Sequence, residues 1–370
     1  MIKKKQDGPK TAIDSLISEM KATQNKLEKR TANFKKSNKK KKPYQKSKQN
    51  RNKNKQQSKN SRRNNKQKQA PQESTLDLTG IKGLKIMPLG GQEEVGRNMT
   101  VFEYGNDIVI LDMGLQFPEE DMPGVDYIIP DISYLKGKEK RIKGVIFSHG
   151  HLDHIGAAPI LLEQLNYPPI IGRDFTIALI KHKMEDYQKG SAQRLKVAQI
   201  KSVSDKIKLG NFKAGFFKIE HSIMDAVGVT LETPDGTVIH PGDWTVERND
   251  QGERTMDYTY LADLQRPSVL MLESLGATDY KEPVSEKTMY DNLEKIISVR
   301  KGKVVIGMFS SQLDRIKNIF LMAEKVGKKV ALDGYSMKMN MKLAQELGYI
   351  KPSKQALIDI KNIHNIQRTN

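Results

Sequence analysis

Residues 148–156 read SHGHLDHIG and place four metal-binding side chains, His149, His151, Asp153 and His154, within six positions. The pattern is H-x-H-x-D-H. Three imidazoles and a carboxylate at this density suit zinc and similar divalent ions. Three of the chain's 7 histidines fall in this one hexapeptide, a concentration that no packing role requires. In an extended segment alternate side chains point the same way, so His149 and His151 can share one ion. Asp153 and His154 lie past a bend and can face a second. The flanks fix the loop: RIKGVIFS (141–148) reads as a buried strand leading in, and AAPILLEQL (157–165) as a helix leading out.

Two later residues extend the set. His221 follows the apolar run AGFFKIE (214–220), and Asp243 closes TVIHPGD (237–243). Read alone, the first is a satisfied structural histidine and the second a turn residue. With the hexapeptide present, both stand at strand ends in the order expected for a site at one edge of a sheet sandwich, and both are predicted ligands. His240, three residues before Asp243, is read as structural and facing the other side of its strand. His182, in a Lys-rich helical stretch, is read as a surface residue.

Working outward, LKIMPLGG (84–91), MTVFEYG (99–105) and DIVILDMG (107–114) read as three short strands separated by Gly and Asn turns. IKLGNFKAGFFKIEHS (207–222) and VGVTLETPDGTVIHPGDW (227–244) read as further strands, with a tight turn at Pro234-Asp235-Gly236. From about residue 281 the pattern becomes helix (284–300), strand (KVVIGMF, 303–309), helix (314–327), strand (328–334) and helix (339–348). That alternation predicts a small parallel sheet with crossover helices, and so a second domain. The fold class is α/β.

The charge is lopsided. The chain has 370 residues and a formal net charge of +19, yet residues 1–70 hold 24 Lys and Arg against Asp7, Asp14, Glu19 and Glu28. The remaining 300 residues are close to neutral, with 39 basic and 40 acidic side chains. Residues 10–30 carry Ile13, Leu16, Ile17 and Met20 at helical spacing, with Leu27 further on, and predict a short amphipathic helix. Residues 31–70 hold no acid and only Phe34 and Tyr44 as aromatics, too little apolar surface to offset the entropy of ordering. Residues 1–76 are therefore expected to be a basic, mostly disordered tail that binds a polyanion, phosphates supplying the counter-charge. There is no cysteine, which excludes disulfides, thiolate metal sites and a cysteine nucleophile. No run approaches the roughly 18 apolar residues of a membrane span, and no apolar run follows the basic start as in a signal peptide. No membrane partner and a cytoplasmic location are expected.

H-x-H-x-D-H, then a distant His, then a distant Asp, is the motif order of the metallo-β-lactamase superfamily. PLGGQEEVGRNMTVFEY (88–104), LDMGLQFP (111–118), FSHGHLDHIGA (147–157), HSIMDAVGV (221–229) and HPGDW (240–244) resemble segments of the ribonuclease J family. GMFSSQLDRIKNIFLMAEKVGKKVALDGYSM (307–337) and AQELGYI (344–350) are similar to that family's inserted β-CASP domain. The resemblance covers roughly 81–360. It implies an αβ/βα metallo-β-lactamase sandwich over 77–280, carrying a partial β-CASP domain over 281–370. It implies that His149, His151 and His221 bind one zinc, that Asp153 and His154 bind another, and that Asp243 bridges the two. Asp112 matches the carboxylate that orients the histidine loop, a role that fixes ligand tautomer. Glu273, in MLESLGA (271–277), matches the acidic β-CASP motif, where ribonuclease J more usually has Asp; it is the candidate for assisting proton transfer. Ser310, Ser311 and Arg315 have the chemistry to touch RNA phosphates, although a strand-to-helix cap explains the serines equally well.

The implied activity is metal-dependent hydrolysis of RNA phosphodiester bonds, endonucleolytic and 5′-to-3′ exonucleolytic, in RNA maturation and decay. RNA, other RNA-decay proteins or the ribosome, and further copies of the chain are the implied partners. The sequence departs from the family at its end. Downstream of Asp243 the one histidine is His364, in KNIHNIQRTN (361–370), which matches neither the S-G-H segment nor the closing zinc ligand, and the G-x-Q-G-E segment is absent. The chain is therefore expected to stop inside the β-CASP domain, with the second zinc lacking a ligand. Two other readings stand beside the nuclease: a catalytically impaired RNA-binding fragment, and another hydrolase on the same fold, which the 127 residues after Asp243 disfavour.

Overall fold

A computed structural model describes residues 80, 82–249, 253–278, 284–353 and 356–365, all within the unit Asp77–Asn370. The expected helix over 10–30 and disorder over 31–70 lie outside the described residues.

Strands β1 (Lys85–Gly90), β2 (Met99–Tyr104) and β3 (Asp107–Leu111) form an antiparallel meander. Gly105 and Asn106 make the two-residue β2–β3 turn, with Gly105 at φ 58°, the left-handed geometry that two-residue hairpins favour. The chain then crosses over to β4 (Ile142–Ile146), β5 (Ile170–Gly172) and β6 (Val197–Gln199), each parallel to its predecessor. The sheet order is β1-β2-β3-β4-β5-β6. Between these strands lie the one-turn helix α1 (Leu152–Ile155), then α2 (Ala158–Gln164) and α3 (Asp174–Tyr187). The second sheet, ordered β11-β10-β9-β8-β7, comprises β7 (Lys206–Leu209), β8 (Phe212–Lys218), β9 (Val227–Thr233), β10 (Gly236–His240) and β11 (Ser268–Leu270). It is antiparallel except for β10–β11.

Strand periodicity builds the layers. On β3, Val109 and Leu111 join Phe102, Ile146 and Ile171 against Phe212, Ala214, Phe216, Val229 and Leu231 of the second sheet. Ile108 and Ile110 point the other way and pack with Val145, Phe147 and the inner residues Leu161, Leu162, Phe175 and Ile180 of α2 and α3. Helix, sheet and sheet are thus stacked as three layers of the expected αβ/βα sandwich. Asp235 links the sheets at one end, accepting from Leu84 N–H at 3.1 Å and from the Tyr104 hydroxyl at 3.1 Å.

The later residues form α4 (Glu286–Val299), α5 (Leu313–Lys325), β12 (Val330–Ala331), α6 (Tyr335–Glu346) and β13 (Leu357–Ile358), with β12 and β13 parallel. Ser285 caps α4, its hydroxyl oxygen accepting from Thr288 N–H at 3.1 Å. α5 buries Leu313, Ile316, Ile319, Phe320 and Ala323, a three-and-four spacing. Two expectations are corrected. Residues 303–309 are not a strand; Val305 is 93 % and Phe309 77 % exposed. A strand is a property of a pair, and among the described residues no ladder forms on this segment, so β-propensity alone does not make one. The strand expected over 328–334 shrinks to β12 for the same reason.

Candidate metal centre

β3 and β4 run parallel with Leu111 opposite Ile146, so Asp112 and Phe147 leave the sheet side by side. Asp112 takes the left-handed conformation, φ 62°, which a short polar side chain tolerates. Its buried carboxylate then receives three donors: Ser148 N–H, the Ser148 hydroxyl and His154 Nδ1, each at 2.8 Å. The histidine loop is also held through its backbone. Met113 N–H donates to His154 O at 2.8 Å, and Leu115 N–H to Leu152 O at 3.0 Å. Asn98 N–H donates to Asp153 O at 3.1 Å. Gly114 sits where these segments cross, and a Cβ there would lie 1.6 Å from Asp153 O.

His149 and His151 point together, as the extended spacing predicts. His149 Nε2 lies 3.1 Å from His151 Nδ1, and His221 Nε2, delivered from the loop after β8, lies 3.0 Å from the same Nδ1. On the other side His154 Nε2 faces Asp243 Oδ2 at 3.3 Å and Asp153 Oδ2 at 3.6 Å. Two overlapping groups result: His149, His151 and His221; and His149, His154 and Asp243. In each, the candidate donor atoms lie within 4.8 Å of one another. Asp153 stands beside the second group and outside it, whereas the sequence paired it with His154. The donor set fits an ion. Neutral imidazoles carry one N–H each, so three ring nitrogens at this separation cannot all find a hydrogen-bond partner in one another. Metal–nitrogen bonds of about 2.1 Å in a tetrahedron put ligand nitrogens about 3.4 Å apart, close to what is observed.

The electrostatics agree. Burial, and then the neighbouring rings of His154, His221 and His151, holds His149 well below the usual imidazole range. Burial also takes His151 down to about 4, with His221 and His154 adding to it. Burial lowers His221 too, against the attraction of Asp243. These rings are neutral near pH 7, the state a metal ligand needs. For His154 burial works the same way, but the Asp112 and Asp243 carboxylates overcome it and raise the ring well above its ordinary value. A metal bound there would take the place of that proton.

Other predicted residues stand apart from the cluster. Glu273 follows β11, which runs parallel to β10 with Leu270 opposite Ile239. It thus reaches the same sheet edge as Asp243, but it is exposed and its carboxylate accepts from Leu275 N–H at 2.6 Å. Arg315 lies on α5 and lines a cleft of about 710 Å³ that also includes His221, Ser222 and Arg173. It donates to Gln312 Oε1 at 3.2 Å, and its buried Nε has no hydrogen-bond partner. Ser310 and Ser311 precede α5, but the N-cap is Gln312 and makes no side-chain cap bond, so the serines are not serving as that cap. His240 stays beside the site, its Nδ1 accepting from Gly242 N–H at 3.0 Å. His182 Nε2 lies 3.2 Å from Asp186 Oδ2 within α3.

Sequence reading missed Ser148, Gly114 and Asn98. Ser148 and Gly114 act on the loop through hydrogen bonding and close backbone approach. Asn98 ends the loop between β1 and β2 and puts Nδ2 3.2 Å from His154 Nε2. The available signal was the glycine-punctuated polar stretch GGQEEVGRN (90–98), which marks an irregular loop with backbone demands.

The layered fold with this donor set at its edge defines the class. A family model described as "Metallo-beta-lactamase superfamily" matches residues 93–278, and the chain belongs to that superfamily. A second model, described as "Ribonuclease J, beta-CASP domain", matches residues 301–370. Ribonuclease J of Synechocystis sp. is 35 % identical over 292 residues, covering 78 % of this chain and 45 % of that protein. Ribonuclease J of Thermus thermophilus is 37 % identical over 278 residues, covering 72 % and 48 %. The chain spans about half the length of the curated relatives it matches. Among solved structures, a protein of unknown function from Enterococcus faecalis V583 shares the fold, with a TM-score of 0.56 at 16 % identity, over 78 % of this chain and 76 % of that one. No helix among the described residues is long and apolar enough to cross a membrane.

Proposed function

We propose that this chain is a zinc-dependent ribonuclease that hydrolyses RNA phosphodiester bonds, endonucleolytically and from the 5′ end, in the cytoplasm. The observation that carries this reading is the pair of ligand groups meeting at His149, one member of which, His221, also lines the cleft that includes Arg315. In this reading residues 77–280 form the catalytic domain, residues 281–370 contribute to the RNA-binding wall, and residues 1–76 tether RNA. His149, His151 and His221 would hold one zinc, and His154, Asp153 and Asp243 would serve the second position. Zinc bound there would supply Lewis acidity and would lower the pKa of a water molecule toward neutrality. Asp112 fixes His154 with Nε2 toward the site. Glu273 assists proton transfer at the same sheet edge. Arg315, Ser310 and Ser311 contact phosphate oxygens of the substrate strand.

The test is cleavage of a 5′-monophosphorylated single-stranded RNA, with metal content measured in parallel. The zinc-loaded chain is expected to cleave, and His149→Ala with His151→Ala to lose both metal and cleavage. Unchanged metal content in the double variant would sink the ligand assignment. RNA binding without cleavage by the zinc-loaded chain would replace the nuclease with an RNA-binding protein.

A further inference from the structure

Asn98 occupies a position at the centre that the ligand set does not explain. Its backbone is clamped on both sides, donating to Asp153 O at 3.1 Å and accepting from Gly114 N–H at 2.9 Å. The loop that delivers it is closed by Glu94, which accepts from Gly91 N–H at 3.0 Å and from Arg97 Nε at 3.1 Å. Its side-chain amide is directed as well. The oxygen lies over Gly91, where a Cβ would come within 2.4 Å of it, and Gly91 has φ 84°. The nitrogen faces His154 Nε2 at 3.2 Å, the same atom that looks toward Asp243 and Asp153. The Asp243 and Asp153 carboxylates facing that atom offer lone pairs. Asn98 offers N–H.

We propose that Asn98 donates a hydrogen bond to a phosphate oxygen bound at this centre, a role that rests on reading the centre as one that handles a phosphodiester. Once a metal takes the lone pair of His154 and draws on Asp153 and Asp243, the acceptors around the amide are engaged. Its N–H groups then face the space in which an anionic oxygen must sit. A neutral donor held by backbone clamps reorganises little when charge develops on the phosphate, which is when such a donor contributes most. Asn98 adds no negative charge to a site already holding Asp153 and Asp243.

The experiment compares zinc-loaded wild type with Asn98→Ala and the isosteric Asn98→Asp, using inorganic phosphate as probe in titration calorimetry. Zinc per chain and melting temperature are recorded alongside. Both variants are expected to keep wild-type zinc content and melting temperature, because the clamps are backbone groups. Phosphate affinity should fall about tenfold in N98A and further in N98D, which turns the donor into a charged acceptor. On an RNA substrate the loss in N98A should appear in kcat, by about 10²-fold, with KM little changed. Equal phosphate affinity in wild type and N98A, or no phosphate binding by the wild type, overturns the assignment. So does zinc lost in step with phosphate, or tighter zinc in N98D, either of which would make Asn98 part of the metal coordination. A phosphate difference without RNA cleavage by the wild type leaves Asn98 assigned and removes the ribonuclease.

Discussion

Asp225 carries its carboxylate where charge is disfavoured. It sits four residues past His221 at φ 59°, accepting from Phe175 N–H at 2.7 Å and from the Thr176 hydroxyl at 3.0 Å at the start of α3. Burial pushes it up to about 7, opposed by those two hydrogen bonds and reinforced by the Asp174 carboxylate beside it. The Tyr349 hydroxyl donates to Asp174 and joins the later residues to this pair. A carboxyl raised above its unfolded value near 3.8 stabilises the fold below that value and loses the contribution as pH rises through the folded one. The stability difference between wild type and Asp225→Asn should therefore shrink, then turn against the wild type, between about pH 4 and 7. Urea unfolding across that range decides it, and a flat difference would show that Asp225 is ionised throughout. The candidate ligand cluster was legible in the sequence because His and Asp have few reasons to crowd a hexapeptide. Asp225 and Asn98 were not, because a single Asp or Asn after an apolar or glycine-rich run looks like any turn residue. Only the contacts made across the fold separate them.

At the scale of elements, strand ends do the positioning. The parallel β3–β4 pair puts Asp112 beside the histidine loop, and the β10–β11 pair brings Asp243 and Glu273 to a common edge. β2, β3, β8 and β9 were readable as short apolar runs, because most of their residues are buried on both faces of their sheets. The ladder on 303–309 was not, because a partner strand is non-local information. Gly114 shows how tightly these elements are pressed together. Gly114→Ala should shift the histidine loop, cost about 1–3 kcal/mol or more and empty the metal centre. Denaturant midpoints and zinc content check this together; an alanine variant with both unchanged would mean that the loop yields easily.

The whole molecule divides its charge, with the excess of Lys and Arg confined to residues 1–70. Neutralising several phosphates releases counter-ions, so RNA affinity should fall steeply with salt. Deleting residues 1–76 should flatten that dependence and weaken binding to all sequences alike, leaving turnover on saturating RNA unchanged. An unaltered salt slope after deletion would rule out the tether. The metal count of the whole chain follows from one ring. His149 belongs to both ligand groups, but its Nδ1 lies 3.0 Å from the Ser148 hydroxyl, leaving Nε2 alone to coordinate. One lone pair cannot serve two cations: if the ion beside His151 and His221 takes it, the other position keeps only His154 and the two aspartates, and if the ion beside His154 takes it, the first keeps only His151 and His221. Loading should then be sequential, with one tight equivalent per chain followed by one held loosely enough to exchange. A zinc titration with two equal, tight equivalents would show that the two positions do not compete for His149.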